Sequence, residues 1–189
     1  MLFRSGDGGS DLLRQEFTVD LLEPYATSFL KGLSILEKKK QSHHYVTMRH
    51  KAPNCESYQH FKGVLFDQAK LSFEGKIWVD QLAQKTQAYQ RSNHLLLGKK
   101  AAAYSKPNLE IFADDVKASH GATIAQLQEE ELFYLKARGL DLVTAKKLLL
   151  KGFAKELLYQ LSLPDPLLEE KFDAHFISIL KNQGQHHVS

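Results

Sequence analysis

Short runs in which apolar and polar residues alternate make up the first two thirds of the chain. These runs are rich in β-branched and aromatic residues and are interrupted by Gly, Asn, Asp or Pro. The pattern predicts strands, the clearest of them at residues 17–22, 45–49, 64–66, 76–79 and 109–112. Because no segment between residues 17 and 127 keeps a helical period, we expect this region to be β throughout.

A short motif recurs among these strands. FKGVLF at residues 61–66 matches FEGKIW at residues 73–78, twelve residues later, and LKGLSI at residues 30–35 is an earlier echo. Similarity at such a short spacing predicts the stacked rungs of a β-solenoid. A β-sandwich with similar strands stays open as the alternative, because spacing alone does not separate the two folds.

The pattern becomes helical near residue 128. Three glutamates at 129–131 precede an apolar run that ends in Lys136, Arg138 and Gly139, which is typical of one short helix. Asp141 is the expected N-cap of a second helix. The apolar face of that helix is predicted to consist of Leu142, Ala145, Leu149, Phe153, Leu157 and Leu161.

A third helix is expected after Pro164-Asp165-Pro166, with Leu168, Phe172, Phe176 and Ile179 on one face. The predicted fold is therefore mainly β, a single-stranded β-helix (β-solenoid) core followed by a C-terminal α-helical region. The predicted segments are a flexible N-terminal segment at 1–16, the β-helix core at 17–128, the helical region at 129–181 and a polar tail at 182–189.

Composition and charge exclude several classes of protein. Of the 189 residues, 43% are hydrophobic and 25% are charged, which is ordinary for a globular domain. No apolar run approaches the roughly 20 residues of a membrane span, and the N-terminus lacks the apolar stretch of a signal peptide. A net charge of +3 is too small to predict a nucleic-acid partner.

Cysteine and histidine usage limits the metal chemistry. Cys55 is the only cysteine, so no internal disulfide can form, which fits a reducing compartment such as the cytoplasm. Iron–sulfur clusters usually take four ligands, mostly thiolates, and cysteine alone cannot supply them here. Strand alternation gives Cys55 the opposite parity from His50 and His60, so a buried structural thiol is expected. The pairs His43-His44 and His186-His187 are expected to be exposed and to have no native role.

Motifs for catalysis are weak. Asp114 and Asp115 could form an acid pair, but neighbouring strand residues point to opposite faces, which favours a turn. Gly6-Asp7-Gly8-Gly9 lacks the Lys-Ser/Thr of a phosphate-binding loop. We therefore predict that the chain is not an enzyme. A carbohydrate-active enzyme on a β-solenoid stays as an alternative.

Residues 107–123 read PNLEIFADDVKASHGAT. This segment resembles the C-terminal signature of the SufB–SufD family of iron–sulfur cluster assembly scaffolds, and its DDV and SHGAT elements resemble the SufD branch. EELFYL and the following Arg138-Gly139, and then residues 145–156, resemble the two helices that follow in the family. Shorter upstream segments also resemble the family: RH at 49–50, PNC at 53–55, KG at 62–63, GKI at 75–77 and AQKT at 83–86. The resemblance therefore covers about residues 17–161.

The resemblance implies a scaffold subunit of the SUF assembly complex. In the family, a SufB-like subunit pairs with SufD through the β-helices, and the ATPase SufC binds the C-terminal helical region. We expect the isolated chain to form a homodimer. The implied SufC-binding residues are Leu148, Leu150 and Leu158, which lie off the predicted apolar face of the second helix.

His120 is the residue that the resemblance implicates in iron or cluster handling at the SufB interface. Imidazole nitrogen suits iron, so His120 is expected to be a transient metal ligand, with no cofactor stably bound to the chain. Two departures from the family are visible. The chain is short, as an excised fragment or an unusually short member would be, and Ala118 occupies a position where many SufD sequences have Cys. An adaptor with no direct role in iron handling therefore stays as a further alternative.

Overall fold

The computed structural model describes residues 2–5, 11–159, 174 and 177–180. In this part the chain forms nine strands and then two helices, and residues 174 and 177–180 are also helical. The strands are β1 (Leu2–Ser5), β2 (Leu12–Leu21), β3 (Thr27–Leu36), β4 (Gln41–His50), β5 (Glu56–Leu65), β6 (Lys70–Val79), β7 (Thr86–Leu96), β8 (Ala102–Ile111) and β9 (Val116–Gln126). The helices are α1 (Glu129–Ala137) and α2 (Leu142–Tyr159). Each predicted strand overlaps an observed strand of 10 residues.

Odd-numbered and even-numbered strands lie in separate sheets. Sheet A has the order β1-β3-β5-β7-β9 and sheet B the order β2-β4-β6-β8. Neighbouring strands from β1 to β8 pair in parallel. Two successive strands, one in each sheet, form a rung that stacks on the rung before it. This arrangement is a parallel β-solenoid, so the predicted fold class is confirmed and the sandwich alternative is wrong.

The twelve-residue repeat does not mark the rung. Leu12 pairs with Gln41, 29 residues later, and Glu56 pairs with Gln87, 31 residues later. The two copies of the motif lie in β5 of sheet A and β6 of sheet B, so they are successive strands of one rung. The motif recurs because both strands place an apolar residue and a glycine inward. The charged residue between them differs, since Lys62 is buried and Glu74 is exposed.

The core fills the space between the two sheets. Four apolar residues of β6, Leu71, Phe73, Ile77 and Val79, are buried and alternate with more exposed residues. The rings of Phe61 and Phe73 meet across the interior with centroids 4.6 Å apart. Fully burying one such side chain stabilises the fold by about 1.5–3 kcal/mol relative to leaving it in water.

Three of the residues in the left-handed region lie at one corner of successive rungs. Each of these three donates its backbone N–H to a carbonyl of the next rung, which joins the corners into a ladder. The pairs are Tyr25 to Pro53 at 3.3 Å, Asn54 to Gln84 at 2.9 Å and Lys85 to Asp115 at 2.6 Å, and the donors have φ of 64°, 58° and 60°.

The β-solenoid begins before the predicted boundary. Residues 12–16, which the sequence assigned to a flexible segment, belong to β2 and pair with residues 41–45 of β4. That prediction is therefore wrong for these residues. Polar and apolar residues alternate along them, but the alternation is too short to stand out without the partner strand. The chain divides into two compact units at Ala125 and Gln126.

The ends of both helices agree with the sequence. α1 has three glutamates in its first turn and ends with Gly139 at φ 89°, whose N–H donates to the Lys136 carbonyl at 2.9 Å. The Asp141 carboxylate accepts hydrogen bonds from the N–H groups of Val143 and Thr144 at 2.9 and 3.0 Å, so it caps α2 as predicted. Hydrogen bonds from the Thr144 side chain and backbone hold the pKa of Asp141 below its usual range.

The predicted apolar face of α2 is only partly right. The buried residues of α2 are Ala145, Leu150, Ala154 and Leu157, whereas Leu142 is 46% exposed. The buried stripe is therefore rotated relative to the predicted one. Most of the predicted third helix lies outside the described residues. Its described residues, 174 and 177–180, are helical, and Ile179 and Leu180 are buried. In the described part of the chain, no helix has both the length and the apolarity to cross a membrane.

Candidate functional site

The β-solenoid ends in an open edge at β8 and β9. β9 is the last strand of sheet A and β8 is the last strand of sheet B, so each has a paired strand on one side only within the described residues. Every residue of β9 from Ser119 onward is exposed. An exposed strand edge presents unpaired N–H and C=O groups, which can pair with a strand of another chain.

The first part of β9 is anchored to the core. Val116 and Ala118 are half-buried and pack against the interior cluster that contains Met48, Cys55 and Ile77. Beyond Ala118 that support stops, since the residues from Ser119 onward are exposed and sheet B has no strand after β8 among the described residues. β9 therefore has a fixed beginning and an exposed second half.

His120 lies on the exposed half of β9. His120 is four residues beyond Val116 and two beyond Ala118, so strand alternation places it on the same side of β9 as both. A Cβ built at the neighbouring Gly121 would meet no atom within 4 Å, so the space around this position is open. Among the described residues no three His, Cys, Asp or Glu side chains come together as a metal site. His120 is thus an accessible single imidazole, and its role in iron handling stays a prediction.

Asp114 and Asp115 lie in the corner before β9 and do not form an acid pair with a shared site. Asp115 is engaged through its backbone, since its N–H donates to Oε1 of Gln84 at 3.0 Å and its carbonyl accepts from Lys85 N–H. Both side chains are exposed. The turn interpretation from the sequence is confirmed.

Cys55 is buried in the solenoid core. Its exposed fraction is 0%, and Sγ donates to the carbonyl of Glu23 at 3.3 Å. The predicted buried structural thiol is confirmed.

Histidines inside the β-solenoid are the polar residues that the sequence reasoning missed. His44, predicted to be exposed, is 4% exposed, and its Nε2 lies 3.0 Å from Ser34 Oγ and 3.1 Å from Ser42 Oγ. His94 is 2% exposed, with its Nε2 2.8 Å from Ser92 Oγ. The burial of His44 could have been predicted from the sequence, because His44 lies two residues before the apolar Val46 and therefore faces the same side of the strand.

Burial makes these imidazoles hard to protonate. Burial, with a smaller contribution from neighbouring His43, lowers the pKa of His44 to about 4. Burial, together with the nearby charge of His44, lowers the pKa of His94 to about 4. Burial alone lowers the pKa of His50 to about 4, and its Nε2 is 2.8 Å from Ser57 Oγ. These groups are neutral at pH 7 and belong to the core rather than to the open edge.

The helical unit presents apolar side chains to solvent. Leu148, a predicted SufC-binding residue, is 51% exposed, but Leu150 is fully buried. Leu150 therefore contributes no surface, and its assignment to a binding surface is wrong; it sits on the buried stripe of α2. The side chain of Leu158 lies outside the described residues. The other exposed apolar residues of this unit, which the sequence did not assign to a surface, are Phe133, Tyr134, Leu142 and Val143.

Comparison with known proteins identifies relatives for most of this chain. A family model described as SUF system FeS cluster assembly, SufBD core domain, matches residues 3–153. The chain is 38% identical over 155 residues to an iron–sulfur cluster assembly SufBD family protein of Synechocystis sp., covering 82% of this chain and 34% of the relative. It is 36% identical over 149 residues to the iron–sulfur cluster assembly protein SufD of Escherichia coli, covering 79% and 35%.

A protein of the same name in Plasmodium berghei is 33% identical over 141 residues, which cover 74% of this chain and 10% of the relative. The chain spans about a third of the length of the Synechocystis and Escherichia coli relatives. The matched region includes the whole β-solenoid from β2 onward, the open edge and most of α2.

Proposed function

Because this chain belongs to the SufBD family of iron–sulfur cluster assembly proteins, we propose that it is a SufD-like, non-catalytic scaffold subunit of a SUF complex. The observation that carries this proposal is the open edge at β9, which lies inside the region matched by the family model. A scaffold requires accessible surfaces for its partners, and the described residues offer one candidate surface in each compact unit.

The first surface is the edge of β9, for a SufB-like subunit. Addition of a strand to an exposed edge supplies backbone hydrogen bonds without further chemistry. Ile124 is 45% exposed on this strand and would supply apolar area beside the new strand pair. In the absence of a SufB-like subunit, a second copy of the chain could occupy the same edge, which accounts for the homodimer expected from the sequence.

The second surface is on the helical unit, for a SufC-like ATPase. Phe133 and Leu148 are 74% and 51% exposed, and Val143 is 38% exposed. A contiguous patch of exposed apolar side chains marks a contact with another protein, and we propose that these residues form such a patch. ATP binding and hydrolysis then belong to the partner.

The cargo of the complex is iron or a nascent cluster, and His120 is the residue proposed to contact it. An accessible imidazole nitrogen can bind iron, but one imidazole does not hold a cluster. The remaining ligands would come from the SufB-like subunit across the edge. We place this assembly in the cytoplasm, where a single cysteine such as Cys55 stays reduced.

In the adaptor alternative, the chain uses the same two surfaces to bind its partners, but His120 does not contact iron. Ala118, which stands where many SufD sequences have Cys, favours it, since the chain then offers less to iron. Family membership favours both of these functions over a carbohydrate-active enzyme.

Co-expression with a SufB-like and a SufC-like protein tests the proposal. The intact chain should co-purify with both. Ile124→Lys should remove the SufB-like subunit only, because a charged side chain on an edge strand opposes strand addition, and Leu148→Asp should remove the SufC-like ATPase only. Gln68→Lys, at an exposed corner residue between β5 and β6, is the control and should retain both. Retention of both partners by both variants would contradict the assignment of these surfaces.

His120→Ala then separates the scaffold from the adaptor. A complex that assembles with this variant but contains less iron and sulfide supports cargo handling by His120. Unchanged iron and sulfide contents support the adaptor.

A further inference from the structure

A side chain, as well as the backbone, holds the corner that leads into β9. Oε1 of Gln84 accepts a hydrogen bond from the N–H of Asp115 at 3.0 Å. Nε2 of the same side chain donates to the carbonyl of Gln81 at 2.9 Å. One glutamine therefore ties the corner between β6 and β7 to the corner between β8 and β9.

Gln84 has a polar side chain, whereas prolines occupy the corresponding positions of the two earlier corners. The corner hydrogen bonds place Pro53, Gln84 and Asp115 at equivalent positions of successive rungs, and Pro24 precedes Tyr25 at the same position of the first corner. Proline has no N–H and no polar side-chain group. Pro53 therefore leaves no donor to satisfy. Asp115 does have an N–H, and the Gln84 side chain accepts a hydrogen bond from it.

The corner at Asp115 has little other support. Asp114 and Asp115 are exposed, and no later rung pairs with them in the described part of the chain. A surface cavity of about 170 Å³ lies beside this corner, and its walls are formed by Lys85, Thr86, Gln87, Asp115, Val116 and Lys117. The beginning of β9 thus borders open space on one side. Next to it, the Gln84 side chain links the β6–β7 corner to the β8–β9 corner.

We propose that Gln84 is a positioning residue that fixes the start of β9 and so aligns the edge of the β-solenoid. The use of this edge by a partner rests on the proposed function. The contact itself is a property of this chain alone and is measured without any partner.

Amide hydrogen exchange of the isolated full chain, at a dilution where light scattering shows monomer, tests the inference. Gln84→Met keeps the side-chain length and removes the acceptor. It should accelerate exchange at Asp115 and the first residues of β9 by about tenfold, the effect expected for losing one net hydrogen bond. Gln84→Glu retains an acceptor oxygen for Asp115 but loses the donor to Gln81, so it should exchange more slowly at these amides than Gln84→Met.

Gln87→Met is the matched control. The Gln87 side chain donates to Glu56 at 3.3 Å and does not reach Asp115, so exchange at β9 should not change. Unchanged exchange in Gln84→Met, acceleration spread evenly over all strands, or the absence of rescue in Gln84→Glu would each overturn the inference. None of these results would affect the proposed partners, and a failure to bind those partners would not alter the exchange rates.

Discussion

The imidazole of His94 occupies the space that a side chain at Gly63 would need. A Cβ built at Gly63 would lie 2.7 Å from His94 Nδ1 and would also overlap Leu71. Gly75 accommodates Gln90 in the same way. The absence of a side chain at Gly63 and Gly75 therefore leaves room for polar side chains inside the β-solenoid, whereas Gly32 leaves room for the Phe61 ring.

Gly63→Ala should destabilise the fold by about 2–4 kcal/mol, because a methyl group here forces the imidazole or Leu71 to move within a packed core. Urea unfolding followed by circular dichroism measures the change. Gly152→Ala is the matched control, since a Cβ at this helical position meets no atom within 4 Å. It should stabilise the chain by about 0.5–1 kcal/mol. An equal effect of the two substitutions would contradict the packing described for Gly63.

The stability of the β-solenoid should fall in mild acid. The pKa values of His44 and His94 are lowered from 6.5 to about 4, so the folded state binds fewer protons than the unfolded state between these limits. Stability is therefore complete above pH 6.5 and is lost as the pH falls from 6.5 towards 4. Each histidine contributes a slope of about 1.4 kcal/mol per pH unit.

Urea unfolding at pH 7.5 and pH 5.5 measures this loss. Among the described inward-facing residues of β2 to β8 there is no Asp or Glu that could stabilise a buried imidazolium. His94→Gln should reduce the difference between the two pH values, even if it lowers stability at both. Equal free energies of unfolding at pH 7.5 and pH 5.5 in the wild-type chain would disprove the assignment of neutral buried imidazoles.

Leu148 and Leu150 should respond differently to the same substitution. Leu148→Asp places a charge on an exposed position and should change stability by no more than about 0.5 kcal/mol. Leu150→Asp buries a charge and should cost about 4 kcal/mol or more, with loss of helical signal. Circular dichroism at 222 nm and the unfolding midpoint separate the two; similar stabilities would show that Leu150 is not buried.

The isolated chain should self-associate through β9. Multi-angle light scattering at increasing concentration should show a dimer for the wild-type chain and for Gln68→Lys. The Ile124→Lys variant should stay monomeric, because the lysine opposes strand pairing at that edge. A dimer that survives this substitution would place the contact elsewhere.

The isolated chain should hold no stable iron–sulfur cluster. Cys55 is buried and His120 stands apart from other metal-ligating side chains of the described residues. Anaerobic reconstitution followed by desalting should leave no stoichiometric iron or sulfide on the protein. A chelator-resistant cluster on the monomer would refute this prediction.

Local patterns predicted those features that depend on neighbouring residues in the chain. Alternation revealed strands, and Asp141 and Gly139 marked helix ends because capping involves only a few adjacent residues. The sequence predicted that the segments beginning at Phe61 and Phe73 stack on each other, whereas they lie in opposite sheets of one rung. Similarity between two strands cannot show whether they stack or face each other. That distinction depends on pairing across 29 or 31 residues.

Features that depend on packing were the hardest to predict. Leu148 and Leu150 look alike in sequence, and only the neighbours of α2 determine which of them is buried. His44 was expected at the surface because histidine is polar, whereas its parity with Val46 and the hydroxyls of Ser34 and Ser42 place it inside. The open edge at β9 depends on where stacking stops, which no local motif records.

Hydrogen exchange of the chain with and without a SufB-like subunit tests the central claim most directly. If β9 is the pairing edge, binding should slow exchange at residues 119–126 by at least about tenfold, because their exposed amides gain strand partners. The amides of the central strands β4 and β5 should exchange at unchanged rates. Binding that leaves residues 119–126 unprotected would contradict the assignment of β9 as the scaffold's pairing edge.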